Sequence, residues 1–351
     1  MIPDKDFWIN KKVLITGHTG FKGSWLAVYL HHLGADLFGI SREKKSGIYS
    51  MAKLHEIFKE EIFLDIGKVE FEELEKIIRR LNPEVIFHFA AQSLVYLGHS
   101  DPTDTVFSNI IGTHNLLYAS KDIESIRSVI VSTTDKVYED SSFDNIESSK
   151  LGGKDYYSAS KVAVENIIFA YKNLFVFPLV SVVRSGNVIG GGDRAEKRLM
   201  TELVLSINEN KDFLLRKPNS IRPWQYILDS IRGYLLVAED TLKKNNSEVF
   251  NLNSKPNNKY KASFLANSFI KKWGSNIKII EAEEVLFDEV DTLIINSDKA
   301  LLKLGWQPVV DIELMLEKVI DWEKYYKNNS EIAFMLNEIN EYQTIVSQQL
   351  N

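Results

Sequence analysis

Along the first half of the chain, short runs of consecutive apolar residues alternate with longer stretches whose apolar positions recur every three or four residues. The short runs read as strands at 12–16 (KVLIT), 35–40 (ADLFGI), 61–64 (EIFL), 84–89 (EVIFHF), 127–132 (RSVIVS) and 179–184 (LVSVVR). The helical period predicts helices near 22–33, 68–81, 103–121 and 157–174. Strands apolar on both faces and separated by helices imply an α/β fold, a doubly wound parallel sheet covered on both sides. After residue 185 the rhythm breaks into GNVIGGGD, a helix near 195–209, DFLLRKPNS, a helix near 228–241 and EVFNLN. This irregular region is expected over the carboxyl ends of the strands, where such sheets bind ligands. The tail EIAFMLNEINEYQTIVSQQL has apolar residues at helical spacing, suited to docking on the body or on a second subunit.

Composition narrows the function classes. The 351 residues can bury a large core, and 42 basic against 48 acidic residues give a net charge of −6 without long single-sign runs. A nucleic-acid surface is therefore not expected. The absence of cysteine excludes disulfides and thiolate metal sites. The seven histidines include no pair at i, i+3 or i, i+4, so no metal site is expected. No apolar stretch approaches the ~20 residues that span a bilayer, and MIPDKDFWINKK lacks the apolar core of a secretory signal. The expectation is a soluble cytoplasmic protein.

The stretch TGHTGFKG at 16–23 follows the first strand and opens the first helix. Glycines at such a junction let backbone approach a pyrophosphate, which the free N–H groups of the helix start attract. The spacing G-x-x-G-x-x-G in that setting predicts a dinucleotide site. At the end of the second strand, Ser41 and Arg42 stand where an acid would meet an adenosine ribose, with Lys44 and Lys45 behind. Basic residues there favour a 2′-phosphate, hence NADP over NAD. Asp65, after the third strand, is placed to face the adenine edge. The pair in YSASK puts Tyr157 and Lys161 one helical turn apart. A lysine and a nicotinamide cation beside the phenol would lower its pKa toward neutrality, making it a base for a substrate hydroxyl as hydride leaves.

With these motifs the chain resembles the extended short-chain dehydrogenase/reductases over roughly residues 7–325. The likeness rests on GHTGFKG, FHFAAQ (87–92), SNIIGT (108–113), VSTTDKVY (131–138), YSASK, VVRSGNVIGGGD (182–193) and LGWQP (304–308). Within that group it is most similar to the CDP-glucose 4,6-dehydratase family, through GHTGFKGSWL, AAQSLV, TTDK, GNVIGGGD and SIRPWQ (220–225). The resemblance implies a Rossmann-type dinucleotide-binding domain at 1–185, a mainly nucleotide-sugar-binding region at 186–325 with room for chain to return to the sheet, and a helical tail at 326–351.

It also implies site residues. Cofactor contacts would come from Gly17, Thr19, Gly20, Phe21, Lys22, Gly23, Ser41, Arg42, Asp65, Ile66, Ala90, Ala91, Gln92, Asn109, Tyr157 and Lys161. Thr134 would hydrogen-bond the sugar's 4-oxygen, Asp135 would protonate the departing 6-hydroxyl, and Lys136 would take the C5 proton. As a base Lys136 must be neutral, which burial beside other cations would favour. Asn187, Arg198 and Arg222 resemble diphosphate contacts, Trp224 packs near the nucleotide, and Ser93 lies near the sugar. The substrate class is a nucleoside-diphosphate hexose, the cofactor NADP or NAD recycled in each turnover, and the assembly a homodimer or larger even-numbered oligomer. Ser93, Tyr96 and Arg194 depart from the family's usual proline, arginine and tryptophan, leaving the sugar, the base and the cofactor's phosphate open. A 4-epimerase on the same scaffold needs only Tyr157, Lys161 and Thr134, so the Asp135–Lys136 pair argues against it. A catalytically idle nucleotide sensor would be expected to have lost the tyrosine or lysine, and both are present.

Overall fold

The computed structural model describes residues 1–43, 47–140, 143–254, 259–282 and 292–350. Lys44 and Lys45 lie outside the described residues. Seven parallel strands form the central sheet: β1 (Lys12–Thr16), β2 (Asp36–Ser41), β3 (Phe58–Phe63), β4 (Val85–His88), β5 (Ser128–Thr134), β6 (Leu179–Ser185) and β7 (Val249–Leu252). Their order is β7-β6-β5-β4-β1-β2-β3, so the winding reverses between β1 and β4. A crevice opens at such a reversal beyond the carboxyl ends of the strands.

Alternation within each strand builds two cores. Val13, Ile15, Val85, Phe87, Ile130 and Val183 face one layer, which holds helices α1 (Phe21–His32) and α5 (Ile227–Lys244). Leu14, Ile86, Val129, Val131, Val180 and Val182 face the other. That layer holds α2 (Phe71–Leu81), α3 (Tyr156–Leu174) and a helical segment over 102–120. Two elements beyond residue 185, α5 and β7, belong to the sheet layers, and β7 pairs with β6 from Val249↔Val182 to Leu252↔Ser185.

Boundaries differ from the sequence reading where turn chemistry intervenes. Strand β3 starts at Phe58, and residues 65–69 form a turn in which Asp65 O accepts from the amides of Lys68 and Val69, delaying α2 to Phe71. Helix α4 (Leu199–Asn208) starts later than expected. Helix α6 (Ile312–Tyr326) and the tail helix α7 (Ala333–Leu350) follow. The tail docks on the body: Met335, Ile339, Tyr342 and Val346 are buried along one face. There the Tyr342 hydroxyl donates to Asp229 Oδ1 (2.7 Å) and accepts from Arg232 Nε (2.7 Å) on α5.

Candidate active site

A cavity of about 860 Å³ lies over the carboxyl ends of the strands. The glycine turn forms one end. Gly17 has φ +76°, and a Cβ there would stand 2.7 Å from the Ala90 amide nitrogen. A Cβ on Gly23 would stand 2.3 Å from Gly17 O, so only glycine lets α1 start this close to β1. The resulting bare backbone at a helix start suits the pyrophosphate of a dinucleotide.

The reactive cluster comes from the end of β5 and the start of α3. Asp155 and Ser158 form a reciprocal cap, with Ser158 N donating to Asp155 Oδ1 (3.0 Å) and Asp155 N to Ser158 Oγ (3.1 Å). Such a cap fixes where the helix begins. Tyr157 and Lys161 then point at β5, where Lys161 Nζ donates to the Ser132 carbonyl (3.1 Å). Thr134 ends the strand, and Asp135–Val137 make one tight helical turn. Thr134 Oγ1 donates to Asp135 Oδ1 (3.1 Å), and the Tyr157 phenol is in hydrogen-bond contact with the Thr134 side chain. Asp135 is 2% exposed, and its Oδ2 has no hydrogen-bond partner among the described residues.

Electrostatics depart from the sequence expectation at Tyr157. Burial pushes the phenol up to about 12, outweighing the Thr134 hydrogen bond, instead of the expected fall toward neutrality. Lys161 is buried with it and lowered to about 8 by desolvation. Burial likewise raises the Asp135 carboxyl, against the pull of Lys136, Arg222 and Lys22. Lys136 is only half-buried, short of the enclosure expected for it. The lysine that loses most solvation is Lys22, lowered to about 7 as desolvation and then Arg198 act on it. Its ammonium stands 5.7 Å from the centre of the Tyr234 ring.

All the sequence-predicted site residues except Asn109 line this cavity, from Gly17 and Arg42 at one side to Arg222 and Trp224 at the other. Asn109 sits behind the wall on a widened, π-type turn. Its amide accepts from Gln92 N (2.7 Å) and donates to Gln92 O (3.0 Å) and Ser160 Oγ (2.8 Å). It thereby ties the loop after β4 to α3. Arg42 is engaged by Asp104 through two bonds from Nη1 (3.0 and 3.1 Å) and lies 3.9 Å from Asp65. Arg198 pairs with Asp193 (2.8 Å) and reaches Ser93 Oγ (3.3 Å). Arg194 forms a fork on Glu323 of α6, 2.7 Å from each oxygen.

Sequence reasoning missed a buried brace behind the cluster. Glu165 Oε1 accepts from Thr133 Oγ1 (2.8 Å) and Arg184 Nε (2.9 Å), and Arg184 Nη1 donates to the Tyr138 hydroxyl (2.8 Å). An arginine inside the apolar run VVR and a glutamate one turn after Lys161 are its sequence signals. Gly186 was missed too: a Cβ there would lie 3.0 Å from Asp135 Oδ2.

A sequence model of the family described as GDP-mannose 4,6 dehydratase matches residues 14–319. The chain is 32% identical to CDP-glucose 4,6-dehydratase of Salmonella typhimurium, over 97% of this chain and 98% of that protein. It is 25% identical to dTDP-glucose 4,6-dehydratase of Haemophilus influenzae, over 91% of this chain and 99% of that one. In structure it is similar to UDP-glucuronic acid 4-epimerase of Bacillus cereus, solved in complex with UDP-glucuronic acid and NAD. That likeness has a TM-score of 0.79 at 24% identity and covers 89% of this chain and 98% of that one.

Proposed function

Because the chain belongs to the GDP-mannose 4,6-dehydratase family, we propose that it is a nucleotide-sugar 4,6-dehydratase whose substrate is CDP-D-glucose. The observation that carries this reading is the Asp135 carboxyl, buried with one oxygen unpartnered, in the same cavity as Tyr157, Lys161 and Lys136. Oxidation and return at C4 alone, as in an epimerase, would leave an acid at that place without work. The 32% identity to a CDP-glucose enzyme across nearly both whole chains supports the base.

A nicotinamide bound against the glycine turn would accept hydride from C4 and return it to C6. The chain supplies the rest. Tyr157 takes the C4 hydroxyl proton, with Thr134 holding that oxygen. The C4 ketone acidifies C5, whose proton Lys136 removes and later restores. Asp135 protonates O6, which leaves as water. Arg198 and Arg222 sit where they would meet a diphosphate, and Trp224 where it would pack on the nucleotide.

For the cofactor we propose NAD, against the NADP expectation drawn from Arg42. A 2′-phosphate would have to compete with Asp104 for that guanidinium and sit beside Asp65. A carboxylate near the ribose instead suits a free 2′-hydroxyl. Releasing the retained cofactor by denaturation and weighing it decides the point; recovery of NADP alone would reverse it. We also propose a homodimer: Phe107 (42% exposed), Tyr118 (42%) and Phe169 (70%) leave apolar surface on the 102–120 segment and α3. No described helix is long and apolar enough to cross a membrane, and the described residues hold no cluster of metal ligands; we propose a cytoplasmic location.

Incubation with CDP-, GDP-, UDP- and dTDP-hexoses, read by the alkaline absorbance of a 4-keto-6-deoxy sugar, tests the reading. No such product from any of the four would refute it.

A further inference from the structure

The proposed reaction has a proton problem that its usual statement leaves open. One proton leaves the C4 hydroxyl, a different one must reach O6, and the C5 proton goes out and comes back. After one turnover Tyr157 would hold a proton too many and Asp135 one too few. Both groups are shut away from solvent, at 8% and 2% exposure. A reset through bulk water would need each to open once per cycle.

The end of β5 joins the two groups directly. The Tyr157 phenol contacts the Thr134 side chain, whose Oγ1 donates to Asp135 Oδ1 at 3.1 Å. The other carboxyl oxygen, Oδ2, has no partner among the described residues. It lies against Gly186, where a Cβ would approach to 3.0 Å. One oxygen of Asp135 therefore faces the relay, and the other is left for a ligand.

Resting on the dehydratase reading above, we propose that Thr134 is a proton relay: the proton lost from the C4 hydroxyl passes from Tyr157 through Thr134 to Asp135 and departs in the water expelled from C6. The step balances. The C4 hydroxyl gives its proton to the Tyr157 oxygen as that oxygen passes its own to Thr134 Oγ1. The Thr134 proton moves to Asp135 Oδ1, and half a turn of the carboxyl presents it to O6. The C–O6 bond breaks and water leaves. Lys136 holds the C5 proton in between and restores it. Every side chain ends as it began, and no proton is exchanged with solvent.

The protonation preferences fit this cycle. Burial keeps Tyr157 a phenol at rest, so it must hand on a proton in order to accept one. Burial also favours the protonated Asp135, which lets the carboxyl keep what arrives despite Lys136, Arg222 and Lys22 nearby. Lys161, directed at the Ser132 carbonyl, stands beside the path and not in it.

Stopped flow in weak buffer with a pH indicator, alongside nicotinamide absorbance, tests the relay on the cofactor-loaded enzyme mixed with CDP-glucose. The wild type is expected to show no proton release during cofactor reduction. Thr134→Val is expected to release close to one proton per site in that phase, with elimination slowed on the order of 10²-fold. Thr134→Ser should restore the silent trace. A separate reading needs no substrate: the infrared carboxyl band of Asp135 should shift in Thr134→Val and keep its place in Thr134→Ser. One proton released per site by the wild type overturns the relay, as does a silent Thr134→Val trace at native rate. If the valine variant fails to reduce the cofactor at all, the wild-type trace alone decides between these results. Formation of 4-keto sugar with wild-type proton release defeats the relay and spares the dehydratase. Absence of the sugar defeats both.

Discussion

Asp135→Asn separates what this carboxyl does for chemistry from what it costs the fold. The side chain is 2% exposed, with Oδ1 at 3.1 Å from Thr134 Oγ1 and Oδ2 unpartnered. Asparagine keeps the shape and the acceptor toward Thr134 but has no proton to give O6. Removing a general acid costs on the order of 10²–10⁴ in rate. Hydride loss from C4 should survive, so reduced nicotinamide should build up while little 6-deoxy product forms. Stability should move the other way. The Asp135 pKa is raised in the fold, chiefly by burial, so the folded chain holds a proton that the unfolded chain releases above about pH 4. Its contribution to stability therefore falls as pH rises through that value, and at neutral pH the carboxylate is a burden. Replacing a buried charge that has one unsatisfied oxygen should return on the order of 1 kcal/mol, or roughly 2 °C in Tm for a chain of this size. The assay is thermal unfolding at neutral pH beside a rapid-mixing record of nicotinamide absorbance. Native turnover by the variant, or a Tm several degrees below wild type, would refute the reasoning.

Three further outcomes are expected. Tyr157→Phe should lower turnover by on the order of 10²–10⁴ without accumulating reduced cofactor, because hydride cannot leave C4; full activity would remove it from the chemistry. Lys136→Met should leave cofactor reduction possible but abolish exchange of solvent deuterium into C5, and native exchange would make it a turn residue. Light scattering at micromolar concentration should give twice the monomer mass, with Phe169→Glu dissociating the pair; a monomeric wild type would contradict the buried apolar face.

What could be read from the chain and what could not divide along a physical line. Strands β1, β4, β5 and β6 were legible because each is apolar on both faces, and two-sided burial leaves a continuous signal in a few residues. The place of β7 in the sheet was not: EVFNLN is too short to announce its partner, and only pairing with β6 fixes it. The glycine turn was legible because its requirement is local and steric. The charge states were not, since a sequence shows that Lys161 follows Tyr157 by one turn but not that its ammonium points at the Ser132 carbonyl. Nor does it show desolvation, which moves Tyr157 up and Lys22 down. Arg42 was visible as a cation at the right place, while its partner Asp104 is remote in sequence and unsignalled.

The four residues 132–135 show how one strand end can be both rigid and reactive. Successive side chains of a strand point to opposite faces. Thr133 points away from the cluster and is held by Glu165, which the Arg184 guanidinium holds in turn. Ser132 lends its carbonyl to Lys161 and its hydroxyl to Tyr234 (2.6 Å). With both faces of the strand pinned, Thr134 has little freedom to leave the line between Tyr157 and Asp135. A buried ion pair such as Glu165–Arg184 adds little net stability when compared with apolar packing. Its value here is geometric: it stands behind the one hydroxyl whose position decides where a proton can go.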